Sequence, residues 1–193
     1  MNKHVALISL LIIVAASAHA QQQGIGLRLG LPTGITYKRF LSDFKAVEFG
    51  LGTTPNNMDN RYYKNSFKHM SRYDKYNYNA VNVSSSVYMQ ARMLFHYDLD
   101  VTDVDGKFQW YWGAGAMLKF AKVDYWYFNP ANNNEYLHDK RTDVDFGPEG
   151  IFGVEYTFED LPLSLFAETS LQLEFVDRFT FRLFAGTGAR YRF

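Results

Sequence analysis

From Phe179 to the last residue every second residue is apolar or small. Phe179, Phe181, Leu183, Ala185, Thr187, Ala189, Tyr191 and Phe193 hold the odd positions, and Arg182, Gly186, Gly188, Arg190 and Arg192 stand among the even ones. Successive side chains of a β-strand point to opposite faces, so this segment has one greasy side and one polar side. The preceding segment repeats the pattern, with Leu163, Leu165, Ala167, Thr169, Leu171, Leu173 and Phe175 against Ser164, Glu168, Ser170, Gln172 and Glu174. The two read as a hairpin around Val176 to Arg178.

Six further segments obey the same rule. They are Ile25, Leu27 and Leu29 against Arg28; Ile35 and Tyr37 against Lys38; Val47, Phe49 and Leu51 against Glu48; Val87, Met89, Met93 and Phe95 against Gln90, Arg92 and His96; Trp110, Trp112 and Leu118 against Tyr111 and Lys119; and Phe146, Phe152, Val154 and Tyr156 against Glu149 and Glu155. Eight strands in an up-and-down meander follow. Their connections alternate in size: Pro32 to Gly34, Thr53 to Asn82, Asp124 to Thr142 and Val176 to Arg178 on one side, and the compact Ser42-Asp43, Leu99 to Gly106 and Glu159 to Leu161 on the other. An even strand count puts both termini on the compact side.

The start of the chain has a different character. Lys3, the apolar run Val5 to Ala16 and Ala18-His19-Ala20 read as a secretory signal, residues 1–20, cleaved after Ala20 to leave residues 21–193 as one domain. The run is too short for the ~20 apolar residues of a spanning helix, and no later stretch supplies one, so any membrane crossing must be made by strands. There are no cysteines, which excludes disulfides and thiolate chemistry. Lys+Arg 20 balance Asp+Glu 20, and removal of Lys3 leaves 19 against 20, a net charge of -1. No overall basic field draws the chain to nucleic acid.

Alternation also fits a lipocalin-like barrel, greasy inside and wet outside. Three features favour the inverse. The polar face carries Gly26, Gly50, Gly113, Gly115, Gly153, Gly186 and Gly188 beside scattered charges, which suits a crowded narrow lumen. Aromatic residues, 18% of the chain, gather near strand ends: Phe95, Tyr97, Phe108, Trp110, Tyr156, Phe158, Tyr191 and Phe193 at one rim, and Phe120, Phe146, Phe175 and Phe179 at the other. Finally, the ending Gly188-Ala189-Arg190-Tyr191-Arg192-Phe193 resembles the C-terminal insertion signal of bacterial outer-membrane proteins, with Tyr191 and Phe193 as its aromatic positions. The expected fold is therefore all-β, an eight-stranded antiparallel transmembrane β-barrel. As a whole the pattern is similar to the OmpA/OmpX-type small barrels and to PorT-like barrels. That resemblance implies an outer-membrane location in a Gram-negative bacterium, surroundings of outer-membrane lipid and lipopolysaccharide, and the barrel-assembly machinery as a partner during insertion.

Eight strands enclose a lumen that side chains nearly fill, so a diffusion pore is not expected. Arg28, Glu48, Arg92, Glu149, Glu168 and Arg182 fall on the inward face and are expected to form a bracing charge network, because isolated charges there cost several kcal/mol each. His96 reads as a lumen hydrogen-bonding residue. The first long connection offers a surface-binding loop for a glycan or a protein: Arg61, Tyr62, Tyr63, Lys64, Lys68, Arg72, Tyr73 and Lys75. The run Asp98, Asp100, Asp103, Asp105 before Gly106 lacks the pattern of a calcium loop, with Val101 and Trp112 at required ligand positions. No catalytic, cofactor or metal residues are expected. The leading reading is a non-enzymatic envelope protein acting through its outer loops. The alternative is a lipid A-modifying enzyme, deacylase or acyltransferase, with His69 and Ser71 as base and nucleophile.

Overall fold

The computed structural model describes residues 22–54, 56–101, 105–132, 135–175 and 179–193. The expected signal segment with its cleavage site, the turn at 176–178 and Asp103 lie outside the described residues. Eight strands follow in chain order: β1 (Gln23–Gly30), β2 (Thr33–Phe40), β3 (Lys45–Thr53), β4 (Asn77–Asp98), β5 (Lys107–Asn129), β6 (Glu135–Thr157), β7 (Leu163–Glu174) and β8 (Thr180–Arg192). A helix, α1 (Asn56–Phe67), lies between β3 and β4. Each strand pairs antiparallel with its neighbours in the chain, and β8 closes onto β1 from Gly24↔Arg192 to Gly30↔Gly186. Closure leaves no free edge around the ring.

The outside of this barrel is apolar and its inside is charged. Leu27, Phe152, Phe181 and Leu183 expose 64%, 53%, 62% and 72% of their surface, while Arg28, Arg92, Glu149 and Glu168 expose 6% or less. Soluble monomers rarely expose contiguous apolar surface beyond a few hundred Å². A belt of large apolar side chains on the outer face of every strand is compatible with hydrocarbon rather than water, and the lipocalin-like arrangement is excluded. No helix among the described residues is long and apolar enough to cross a membrane, which has no bearing on strands.

Both aromatic rims form as cross-strand clusters. At the end holding the termini, Tyr97 stacks on Trp110 at 4.7 Å and Phe95 lies 5.0 Å from Trp112. At the opposite, outer end Phe146 meets Phe175 edge-on at 6.3 Å. Aromatic pairs of this kind add to the apolar area that strand neighbours share.

The two long connections differ from expectation. Strands β4, β5 and β6 run for 22, 23 and 23 residues, and pairing continues through Asp124↔Lys140 to Asn129↔Glu135. Polar residues occupy both faces of these tips, which hides the alternation from a hydrophobicity reading. Because β3 reaches β4 only as far as Gly52↔Tyr88, and β7 meets β6 only from Gln172↔Glu149, the tips rise past the rim as a three-stranded sheet. Helix α1 lies against it, burying Tyr62, Tyr63 and Phe67 on Val83, Ala121, Val123 and Tyr125.

Candidate functional site

The lumen holds two charge clusters. In the inner one Arg92, on β4, reaches three carboxylates at once: Glu168 at 2.6 Å, Glu149 at 2.8 Å and Glu48 at 3.2 Å. Arg28 joins through Glu168 at 3.1 Å, and Gln90 donates to Glu149 at 3.3 Å. Glu48 then bridges to Arg190 at 2.5 Å, and Arg190 shares Glu155 with Lys38, at 2.8 Å and 2.6 Å. The result is one continuous chain of pairs across β1, β2, β3, β4, β6, β7 and β8. Five residues of the expected network, Arg28, Glu48, Arg92, Glu149 and Glu168, meet here. Arg182 does not. It sits nearer the outer end with Asp59 and Glu174, and Arg190, Lys38 and Glu155 take part instead.

Glycine makes room for this packing at two places. A Cβ at Gly153 would lie 2.5 Å from the Tyr111 ring, and one at Gly188 would lie 2.6 Å from the Phe166 ring. Tyr111 uses that space to donate to Glu168 at 2.8 Å, and Phe166 takes the Arg190 guanidinium on its face at 3.6 Å. His96, expected as a hydrogen-bonding residue, stacks on Tyr111 at 4.9 Å instead, and neither ring nitrogen has a hydrogen-bond partner among the described residues.

The outer cluster is built around α1. Its buried face is Asp59, Tyr62, Tyr63, Ser66 and Phe67, the i, i+3, i+4, i+7, i+8 stripe of an amphipathic helix. Asp59 is fully buried between Arg182 at 2.5 Å and Lys119 at 3.3 Å, with the Thr54 and Tyr88 hydroxyls donating at 3.0 Å and 3.3 Å. Burial alone would raise its carboxyl; Lys119 and Arg182 overcome that and hold it below the usual carboxylate value. Tyr62 donates to Glu174, and Tyr63 to Asp145 at 2.9 Å. Burial, reinforced by those carboxylates, pushes both phenols well above the ordinary tyrosine value. Through these three side chains α1 is bolted to β4, β5, β6, β7 and β8, and it closes the outer mouth as a plug. Beneath it Tyr88, Met117 and Phe184 form a thin apolar layer.

The surface-binding loop is corrected accordingly. Tyr62, Tyr63 and Tyr73 are buried at 7%, 0% and 3% exposure, because they are the apolar side of the plug and its following turn, so they offer no external binding face. Arg61, Lys64, Lys68, Arg72 and Lys75 remain exposed on the opposite side. His69 and Ser71 are exposed on the same cap, and His69 Nδ1 lies 2.8 Å from the Asn65 carbonyl oxygen, away from the lipid-facing wall. No group of three or more His, Asp or Glu arranged to hold a metal exists among the described residues. Asp59, Lys119 and Asp145 are the central residues that sequence reasoning did not single out.

The closed ring, its apolar exterior and its sealed polar lumen define the class: an eight-stranded antiparallel transmembrane β-barrel. In fold the chain is similar to the crystal structure of the N-terminal β-barrel domain of Pseudomonas aeruginosa OprF, with a TM-score of 0.52 over 89% of this chain and 94% of that one, at 14% sequence identity. At that identity the likeness is one of fold. No family model matches the chain, and no curated protein matches it.

Proposed function

We propose that this chain is a non-enzymatic protein of the outer membrane of a Gram-negative bacterium, an OmpA/OmpX-type barrel that is exported with removal of residues 1–20 after Ala20. In this reading Tyr191 and Phe193 present the closing strand to the barrel-assembly machinery. The barrel then serves as a rigid membrane anchor that holds its outer end at the cell surface, among lipid and lipopolysaccharide. The observation that carries the proposal is the inversion of polarity, with leucine and phenylalanine outside and a braced network of arginine and glutamate inside. Function on such scaffolds resides in what the outer connections display.

Fractionation of a bacterial envelope, followed by gel migration with and without boiling, tests this directly. The protein is expected in the outer-membrane fraction, with a shifted band when unboiled. Recovery from the medium without detergent would refute it. A parallel lipid A profile of the His69→Ala and Ser71→Ala variants is expected to match wild type and a deletion strain alike. A change in that profile would restore the enzyme reading.

A further inference from the structure

Helix α1 covers one side of the three-stranded tip sheet, where Val123, Tyr125 and Tyr127 pack with it. The other side carries a different set. Pairing of β5 with β6 is unbroken from Lys107↔Thr157 to Asn129↔Glu135. The parity that turns Phe120 and Phe146 toward lipid therefore also turns Lys122, Trp126 and Phe128 outward, with Thr142, His138 and Tyr136 opposite them. On β4, Asn82 pairs with Asp124 and Asn77 with Phe128, which adds two exposed amides to the same side. This flank is the lipid-facing wall continued past the rim.

Height decides what can lie against it. A strand that rises ~3.3 Å per residue and tilts about 40° gains about 2.5 Å of height per residue. From Trp110 at the lower rim to Phe120 at the upper one this gives about 25 Å, the apolar band of an outer-membrane barrel. Continued upward, the same geometry sets Lys122 and Lys140 about 5 Å and 10 Å above Phe120, and Trp126 and Phe128 about 15 Å and 20 Å above it. Phospholipid headgroups add only about 5 to 8 Å to each side of the hydrocarbon, so they end below these rings. Yet the rings form a second aromatic tier: Trp126 stacks on His138 at 4.9 Å, Phe128 lies 5.3 Å from Tyr136, and Tyr136 is 55% exposed. Flat rings pack on the C–H faces of sugars, and the Asn77 and Asn82 amides can donate to and accept from sugar hydroxyls. Below the tier the exposed charge is basic. Lys122 and Lys140 are exposed, whereas Asp124, the one acid among the outward positions of these two tips, is 7% exposed beside His138 at 3.4 Å and Lys140 at 3.9 Å.

We infer that this flank docks the headgroup of a lipopolysaccharide molecule from the surrounding leaflet. The acyl chains lie on the wall below, the acidic innermost sugars meet Lys122 and Lys140, and the sugars beyond them rest on Trp126, Phe128 and Tyr136. The inference rests on the outer-membrane reading above. Continuity with the lipid-facing wall selects a lipid as the occupant, and the height of the second aromatic tier selects one with an oligosaccharide headgroup. The lysine contact weakens with salt.

The test uses the full mature chain folded in zwitterionic detergent micelles, titrated calorimetrically with core-bearing lipopolysaccharide, with lipid A lacking core sugars, and with phosphatidylglycerol. Wild type is expected to bind the core-bearing form ~10-fold more tightly than lipid A, and lipid A more tightly than phosphatidylglycerol. Trp126→Ala with Tyr136→Ala should erase the first difference while leaving lipid A binding within about twofold, and Trp126→Phe with Tyr136→Phe, which keep the rings, should retain it. Lys122→Glu with Lys140→Glu should weaken binding of both glycolipids ~5-fold or more at low salt and less at high salt, whereas Lys64→Glu with Lys68→Glu, on α1, should change neither by more than about twofold. Equal affinity for the core-bearing and core-free forms, or equal losses in the flank and α1 variants, would overturn the inference. So would a flank that proved necessary only for association of the chain with a second copy. Heat-modifiable migration of the same samples keeps the outcomes separate: a wild type without that shift undermines the barrel reading, whereas a shifted protein that does not distinguish the three lipids undermines only the docking site.

Discussion

At the scale of single residues the lumen is decided by which charges are shared. If Arg92 is replaced by methionine, Glu48 keeps Arg190 and Glu168 keeps Arg28, but Glu149 is left with only the Gln90 amide. Removing one partner from a buried pair typically costs 3–5 kcal/mol, so Arg92→Met is expected to lose about that much in urea unfolding from lipid vesicles followed by tryptophan fluorescence. Adding Glu149→Gln should recover most of the loss; a single variant within about 1 kcal/mol of wild type would contradict the bracing role. Asp59 carries a pH signature. Its folded carboxyl is depressed below the ordinary 3.8, so the latch is fully present above that pH and is lost as pH falls through the depressed value. Tyr62 and Tyr63 act in the opposite direction. With both phenols raised, the plug is unaffected below pH 10.0 and loosens above it, where the released helix gains by ionising them. Trypsin cleavage after Arg61 and Lys64 should therefore stay slow near neutrality and quicken above pH 10.0 as the helix frees, with Asp59→Ala cut quickly even at neutral pH. Equal cleavage of wild type and Asp59→Ala would remove the latch from the account.

Among the elements, the strands whose outer faces meet lipid were legible from parity alone, because a period of two survives any choice of side chain as long as one face is greasy. Gly153 and Gly188 test that geometry. Valine at either site would place its branch on Tyr111 or Phe166, and the fraction of heat-modifiable protein is expected to fall sharply for Gly153→Val and Gly188→Val, while an outward Thr187→Val is tolerated. What parity could not show were the segments outside the membrane. The tips of β5 and β6 mix Asp124, Asn129, Glu135 and Lys140 with aromatics on both faces, so they read as loop although their backbone pairing is unbroken. Helix α1 was hidden differently. Its stripe of Asp59, Tyr62, Tyr63, Ser66 and Phe67 has helical spacing, but four of the five are polar or phenolic and the buried acid is the anchor. A reading that scores only apolar residues passes over a helix whose core-facing side is designed for a charged lumen. The same blindness made its tyrosines look like surface groups.

For the molecule as a whole, the balanced net charge conceals a segregation along the barrel axis. The compact turns at the terminal end expose Asp43, Asp98, Asp100, Asp105, Glu159 and Asp160, whereas the outer cap exposes Arg61, Lys64, Lys68, Arg72 and Lys75. Between them lies a lumen filled by side chains and closed above by α1, so planar-bilayer recordings should show no steady porin-sized conductance; a persistent large open level would mean that the plug and the network part readily. Polarity reversal between wall and lumen underlies all of these statements, and it can be measured by site-directed nitroxides in reconstituted vesicles. Labels at Leu171 and Ala185 should be quenched by oxygen dissolved in the acyl chains and shielded from a water-soluble nickel reagent, with labels at the neighbouring Ser170 and Gln172 shielded from both. Ready access of the nickel reagent to Leu171 and Ala185 would show the greasy face turned to water and would contradict the account at its base.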